Sequence, residues 1–93
     1  MKGDEVIWPA PVLAKLRSYR NPRFTPEETY DFIAQFMIET EDLLVNPVVG
    51  KTYTEEYGKY VGFSRIVVRK FKIYYNRIHN HIVIVGVKFP GEQ

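Results

Sequence analysis

Cysteine is absent from these 93 residues. That excludes a disulfide framework and a thiolate zinc site, and it fits a reducing cytoplasm. Long apolar runs are also missing. The longest stretch, Ile82 to Val87, falls far short of the roughly 20 residues that a membrane helix needs. The opening Met-Lys-Gly-Asp-Glu lacks the apolar core of a secretory signal, so a cytoplasmic chain with no membrane association is expected. Glycines are few and scattered. Gly58 and Gly62 stand alone with no Lys-Ser/Thr behind them, so there is no phosphate-cradling loop. Val61-Gly62-Phe63-Ser64 lacks the flanking glycines of a nucleophile elbow.

Acidic residues nearly vanish from the last third. Residues 59–93 carry seven Lys/Arg and only Glu92, a net +6, whereas residues 1–58 carry six Lys/Arg and ten Asp/Glu, a net −4. A basic field of this kind attracts polyanions or acidic proteins. Lysines on short strands also block edge-to-edge pairing, and composition alone does not separate the two. The length allows a single domain over 1–93 and one core. With 45% hydrophobic and 26% charged residues, that domain is expected to fold as an ordinary globule.

Secondary structure follows from periodicity and from stop signals. Val6-Ile7-Trp8 reads as a first strand stopped by Pro9. Pro11 suits the first turn of a helix carrying Leu13, Leu16 and Tyr19 at helical spacing, ended by Asn21-Pro22. Thr25-Pro26-Glu27-Glu28 is a capping box with proline at the first helical position. It opens a helix over about Pro26 to Val45, with Tyr30, Ile33, Phe36, Met37, Thr40 and Leu43/Leu44 as its apolar stripe. Residues 48–62 read as a loop with room for a short strand near its end. Arg65 to Tyr75 reads as one period-two strand, with Phe71, Ile73 and Tyr75 on one face and Lys70, Lys72 and Tyr74 displayed on the other. His79-Asn80 forms a hairpin tip. His81 to Phe89 is a last strand, apolar on both faces and therefore central. This order predicts an α+β fold: a short N-terminal strand, then two helices packed on one face of a mainly antiparallel sheet.

Few residues offer chemistry. His79 and His81 are the only histidines; two residues apart beside a turn, they read as solvent-exposed rather than as metal ligands. The acids of the long helix read as a solvated face. What remains is the basic, aromatic sheet: Arg65, Arg69, Lys70, Lys72, Arg77 and Lys88 interleaved with Phe71, Tyr74 and Tyr75. Cations pair with phosphate and rings stack on bases, and the same side chains can also receive an acidic protein. Phe71 and Tyr75 are expected in the core.

Several short features occur in order: Val6-Ile7-Trp8-Pro9, Leu13-x-x-Leu16, Phe32-Ile33, the helix exit Leu43-Leu44-Val45-Asn46-Pro47-Val48-Val49-Gly50, the strand Phe71-Lys72-Ile73-Tyr74-Tyr75, and Ile82-Val83-Ile84-Val85-Gly86-Val87. Together they resemble the RelE/ParE superfamily of bacterial toxins from type II toxin–antitoxin modules. The resemblance implies the same small α+β fold and a cognate antitoxin that neutralises the chain. It implies no cofactor and one of two targets, DNA gyrase or ribosome-bound mRNA. Under the endoribonuclease alternative it places Lys72 and Arg69 in catalysis. Arg65, Lys70, Tyr74, Arg77 and Lys88 are then the nucleic-acid or partner-binding candidates. A C-terminal His or Tyr commonly moves protons in the nuclease branch. This chain has Val87-Lys88-Phe89-Pro90 there, and Phe89 carries no titratable proton, so the expectation leans to gyrase inhibition. An inactive, purely protein-binding member of the fold is the further alternative.

Overall fold

A computed structural model describes residues 5–46 and 53–92. The chain order is β1 (Glu5–Ile7), α1 (Ala10–Arg17), α2 (Pro26–Val45), β2 (Tyr53–Thr54), β3 (Ser64–Val68), β4 (Phe71–Ile78) and β5 (His81–Lys88). The strands form one sheet in the order β1-β5-β4-β3-β2. All neighbours are antiparallel except β1 and β5, which run parallel. The α+β architecture is as expected, with both helices on one face of the sheet. Along the helix exit, Pro47 to Gly50 lie outside the described residues.

The capping box forms as read. Glu28 N–H donates to Thr25 Oγ1 at 3.1 Å, and Thr25 N–H donates to Glu28 Oε1 at 2.8 Å. Two donors that the helix start leaves orphaned are thereby satisfied. Thr25→Ala should lower stability by about 1 kcal/mol, read as a shift in urea midpoint at constant slope. A change below ~0.3 kcal/mol would mean that the first turn frays in solution. At the other end of α2, Arg77 donates to the Leu44 carbonyl at 3.3 Å, which suits the negative pole of the helix.

The core lies between α1, α2 and the inner face of β4 and β5. Leu16, Phe36, Phe71, Ile73, Ile82, Ile84 and Val87 are all but fully buried. Phe71 is its hub: its ring centroid lies 4.5 Å from Phe36, 5.1 Å from Tyr19, 5.6 Å from Phe89 and 5.9 Å from Phe32. Trp8 meets Phe36 edge-on at 6.4 Å, and its indole N–H donates to Glu41 at 2.8 Å. Thr40, fully buried, returns its hydroxyl to the Phe36 carbonyl at 2.8 Å, so no polar group is stranded there.

Five details differ from expectation. The segment Arg65–Tyr75 is two strands: Arg69-Lys70 form a two-residue hairpin loop, both with positive φ (52° and 71°). That backbone usually calls for Asn or Gly, so nothing in the residue types announces the turn. α1 stops at Arg17, and Tyr19 reaches the core from the following turn. Tyr30 belongs to the α2 stripe by spacing but is 76% exposed. The strand near residues 48–62 is β2, upstream of the loop rather than near its end. At the 79–80 tip, His79 rather than Asn80 takes positive φ (54°).

Candidate functional site

The sheet face opposite the helices holds the candidate residues, and a single extra residue decides which ones. From the tip, β4 and β5 pair Ile78 with His81 through to Tyr75 with Ile84; beyond a register shift they pair Tyr74 with Gly86, Ile73 with Val87 and Lys72 with Lys88. Val85 is thus the odd residue of a β-bulge. Without it, Lys72 would face Val87, and Lys88 would point at the core. With it, Val87 is buried and Lys88 stands on the outer face directly opposite Lys72.

Side chains directly opposite on neighbouring strands start about 5 Å apart, and like charges there repel. Among the described residues no carboxylate pairs with either lysine. Lys72 is exposed; Lys88 is half-buried, its Nζ 6.0 Å from the Tyr74 ring centroid. Lys70 is exposed in the adjacent hairpin loop, and Val67, the partner of Lys72 on β3, is an exposed apolar residue beside it. This corner gathers positive charge next to a small apolar surface; the Glu92 carboxyl, held below its ordinary range chiefly by its hydrogen bond from Lys15, also feels the Lys88 charge.

Tyr74 is not displayed. It is 1% exposed because the segment Glu55–Phe63 folds over the outer face. Glu55 N–H donates to the Phe63 carbonyl at 2.9 Å and Gly62 N–H to the Glu55 carbonyl at 2.8 Å, closing that segment into a strap. Tyr60 on the strap stacks on Tyr74, centroids 4.4 Å apart and planes 14° apart. Its ring lies where a side chain at residue 86 would project: a Cβ on Gly86 would clash with the Tyr60 hydroxyl oxygen and ring. Burial pushes the Tyr74 phenol above its usual pKa; the nearby Glu55 carboxylate adds to the rise and a hydrogen bond from Arg65 opposes it. Such a phenol is a poor base at neutral pH.

The other candidates are engaged elsewhere. Arg65, opposite Tyr74, donates to Glu55 Oε1 at 3.1 Å and lies 4.1 Å over the Tyr53 ring. Arg69 turns toward α2 and grips Glu39 through two hydrogen bonds, 2.8 and 2.7 Å, with its guanidinium 5.2 Å from the Phe32 ring. That fork holds the Glu39 carboxyl below its ordinary range and raises the Arg69 guanidinium. Arg77 serves the end of α2. Phe89 packs on Tyr19 and Phe71. His79 and His81 are exposed at the far end of the hairpin, six β4 residues or about 20 Å from Lys72. His81 Nε2 is 3.6 Å from Glu5 Oε1. Among the described residues, no three His, Cys, Asp or Glu side chains come together as a metal-binding group.

The structure therefore brings Lys70, Lys72 and Lys88 to one corner and sends Arg69 and Arg77 to the helix side. Sequence reasoning missed Tyr60 and Gly86. The one available signal was Gly86 itself, an isolated glycine in an apolar strand, which marks a close approach from outside. The corner can stabilise negative charge. Its polar side chains are cations, a chemistry suited to holding an anion. No helix among the described residues is long and apolar enough to cross a membrane. No protein-family model, curated protein or solved structure matches the chain.

Proposed function

We propose that this chain is the toxin of a bacterial toxin–antitoxin pair that acts by binding rather than by cleavage, with DNA gyrase as its target. The observation that carries the reading is the Lys72/Lys88 pair, two cations side by side on the outer face with no carboxylate at ion-pair distance among the described residues. The α+β scaffold, with β1 and the two helices preceding an antiparallel run of strands, supports the same reading. So does the engagement of Arg69 by Glu39, which removes one of the two cations that a ribonuclease mechanism would call on. The antitoxin is a separate protein and the working compartment is the cytoplasm.

Controlled expression in a bacterial host tests this. Growth arrest with a DNA-damage response is expected, and the purified chain should inhibit supercoiling by gyrase. Lys72→Ala with Lys88→Ala should weaken that inhibition at least ~10-fold, the loss expected for charge-assisted contacts. Their folding stability should stay within ~0.5 kcal/mol, since a like-charge repulsion is removed. Cleavage of mRNA on translating ribosomes, with gyrase untouched, would instead make the chain an endoribonuclease. Harmless overexpression would overturn the toxin assignment.

A further inference from the structure

A second feature lies on the far side of the helix layer, away from Lys72 and Lys88. Between α1 and α2 runs a half-open groove of about 510 Å³. That volume falls inside the roughly 300–1,000 Å³ of small-molecule pockets. Its lining is graded. The eight-residue connection 18–25 keeps the end of α1 beside the start of α2. One end of the groove is therefore lined by Arg17, Arg20 and Asn21, and the other by Leu13, Ile33, Ala34 and Met37. The only charged residues in the lining are the two arginines. Among the described residues neither has an ion-pair partner. Arg20 uses Nη1 on the carbonyls of Arg17 and Tyr19, at 2.8 and 2.7 Å, which fixes its direction and leaves its other N–H groups available. The acids of the first turn of α2, Glu27 and Glu28, do not line the groove, and Glu28 is occupied by the capping box.

We infer that this groove binds an amphiphilic carboxylate: an unbranched apolar tail between Leu13 and Met37, with its anionic head at Arg17 and Arg20. The apolar stretch removes the tail from water, and a guanidinium is the side chain best matched to a carboxylate fork. A cationic amphiphile of the same length meets two arginines and is disfavoured; a neutral one loses the head contact. The inference does not depend on the toxin reading, because the groove and the Lys72/Lys88 corner lie on opposite sides of the molecule.

The test uses the whole chain, ¹⁵N-labelled, titrated with decanoate below its micellar concentration, and in parallel with decanol and decyltrimethylammonium. Decanoate is expected to shift amides of α1 and α2 in a saturable way, binding at least ~10-fold tighter than decyltrimethylammonium. Arg17→Gln and Arg20→Gln, both surface changes that should leave the fold intact, are each expected to weaken decanoate ~5- to 10-fold and leave decanol unchanged. Ala34→Trp, which fills the groove, should abolish binding of all three probes. Equal affinity for the cationic and anionic probes would overturn the inference. So would shifts confined to the Lys72/Lys88 corner, or Gln variants that bind like the parent.

Discussion

Phe71→Ala is expected to cost about 3–5 kcal/mol, the range for removing a buried aromatic ring. For a domain of this size that is a large part of the whole, since native stabilities run to only about 5–15 kcal/mol. The ring is 1% exposed and touches aromatic partners from α2, from the turn after α1 and from the end of β5. Its loss therefore opens a cavity that no single neighbour can fill, because the partners sit on different elements. Urea unfolding should show the fall at constant slope. Phe24→Ala, at the rim of the same cluster with one tilted contact to Phe32 at 5.4 Å, should cost well under half as much. A Phe71→Ala penalty below 1 kcal/mol would show that the two layers do not meet at this ring.

Gly86→Ala is the second large effect, and its sign should depend on another residue. The added methyl enters the space of the Tyr60 hydroxyl oxygen and ring carbons, too close for either to stay. The ring must leave Tyr74, so the stack and the burial of both tyrosines are lost together. A cost of about 1–3 kcal/mol is expected, as for overpacking elsewhere. In a Tyr60→Ala background the same change should be neutral or stabilising by up to ~1 kcal/mol, because alanine is then simply a better strand residue than glycine. A double-mutant cycle measures the coupling. If Gly86→Ala costs as much without Tyr60 as with it, the glycine is needed by the strand itself and the strap is incidental.

The legible parts of the fold are those whose cause is local. α2 announces itself through Thr25, Pro26 and Glu28, all within one turn, and its bounds fall where the residues place them. The burial of Phe71, Ile73 and Tyr75 follows from alternation along one strand. Three things were hidden, each for a physical reason. The Arg69-Lys70 turn uses residues that rarely take positive φ, so it carries no sequence mark. Tyr74 alternates with core residues and should have faced water, but its cover comes from Tyr60, fourteen positions upstream on a segment with no periodicity. The Lys72/Lys88 pairing depends on register, and register here depends on one surplus residue at Val85 within an otherwise regular apolar run. Counting from the His79-Asn80 tip alone would have paired Lys72 with Val87. The anionic-ligand groove was illegible for a related reason: Arg17 and Arg20 look like ordinary solvent-facing charges until two helices set them at the end of an apolar channel.

β1 hydrogen-bonds only to β5, with Glu5 beside His81 and Ile7 beside Val83. Some 70 residues of chain separate the partners, and β5 is also the strand that joins β1 to the rest of the sheet. During synthesis, then, the first strand has nothing to hold until nearly the last one has left the ribosome. Closing so wide a contact early is entropically unfavourable, and folds dominated by such pairings form slowly. The helices and the β3–β4 hairpin can take shape as they emerge, but the finished sheet, and with it the lysine corner that β5 completes, assembles only once β5 is available. Whatever that corner does, a chain that has not yet delivered β5 cannot do it.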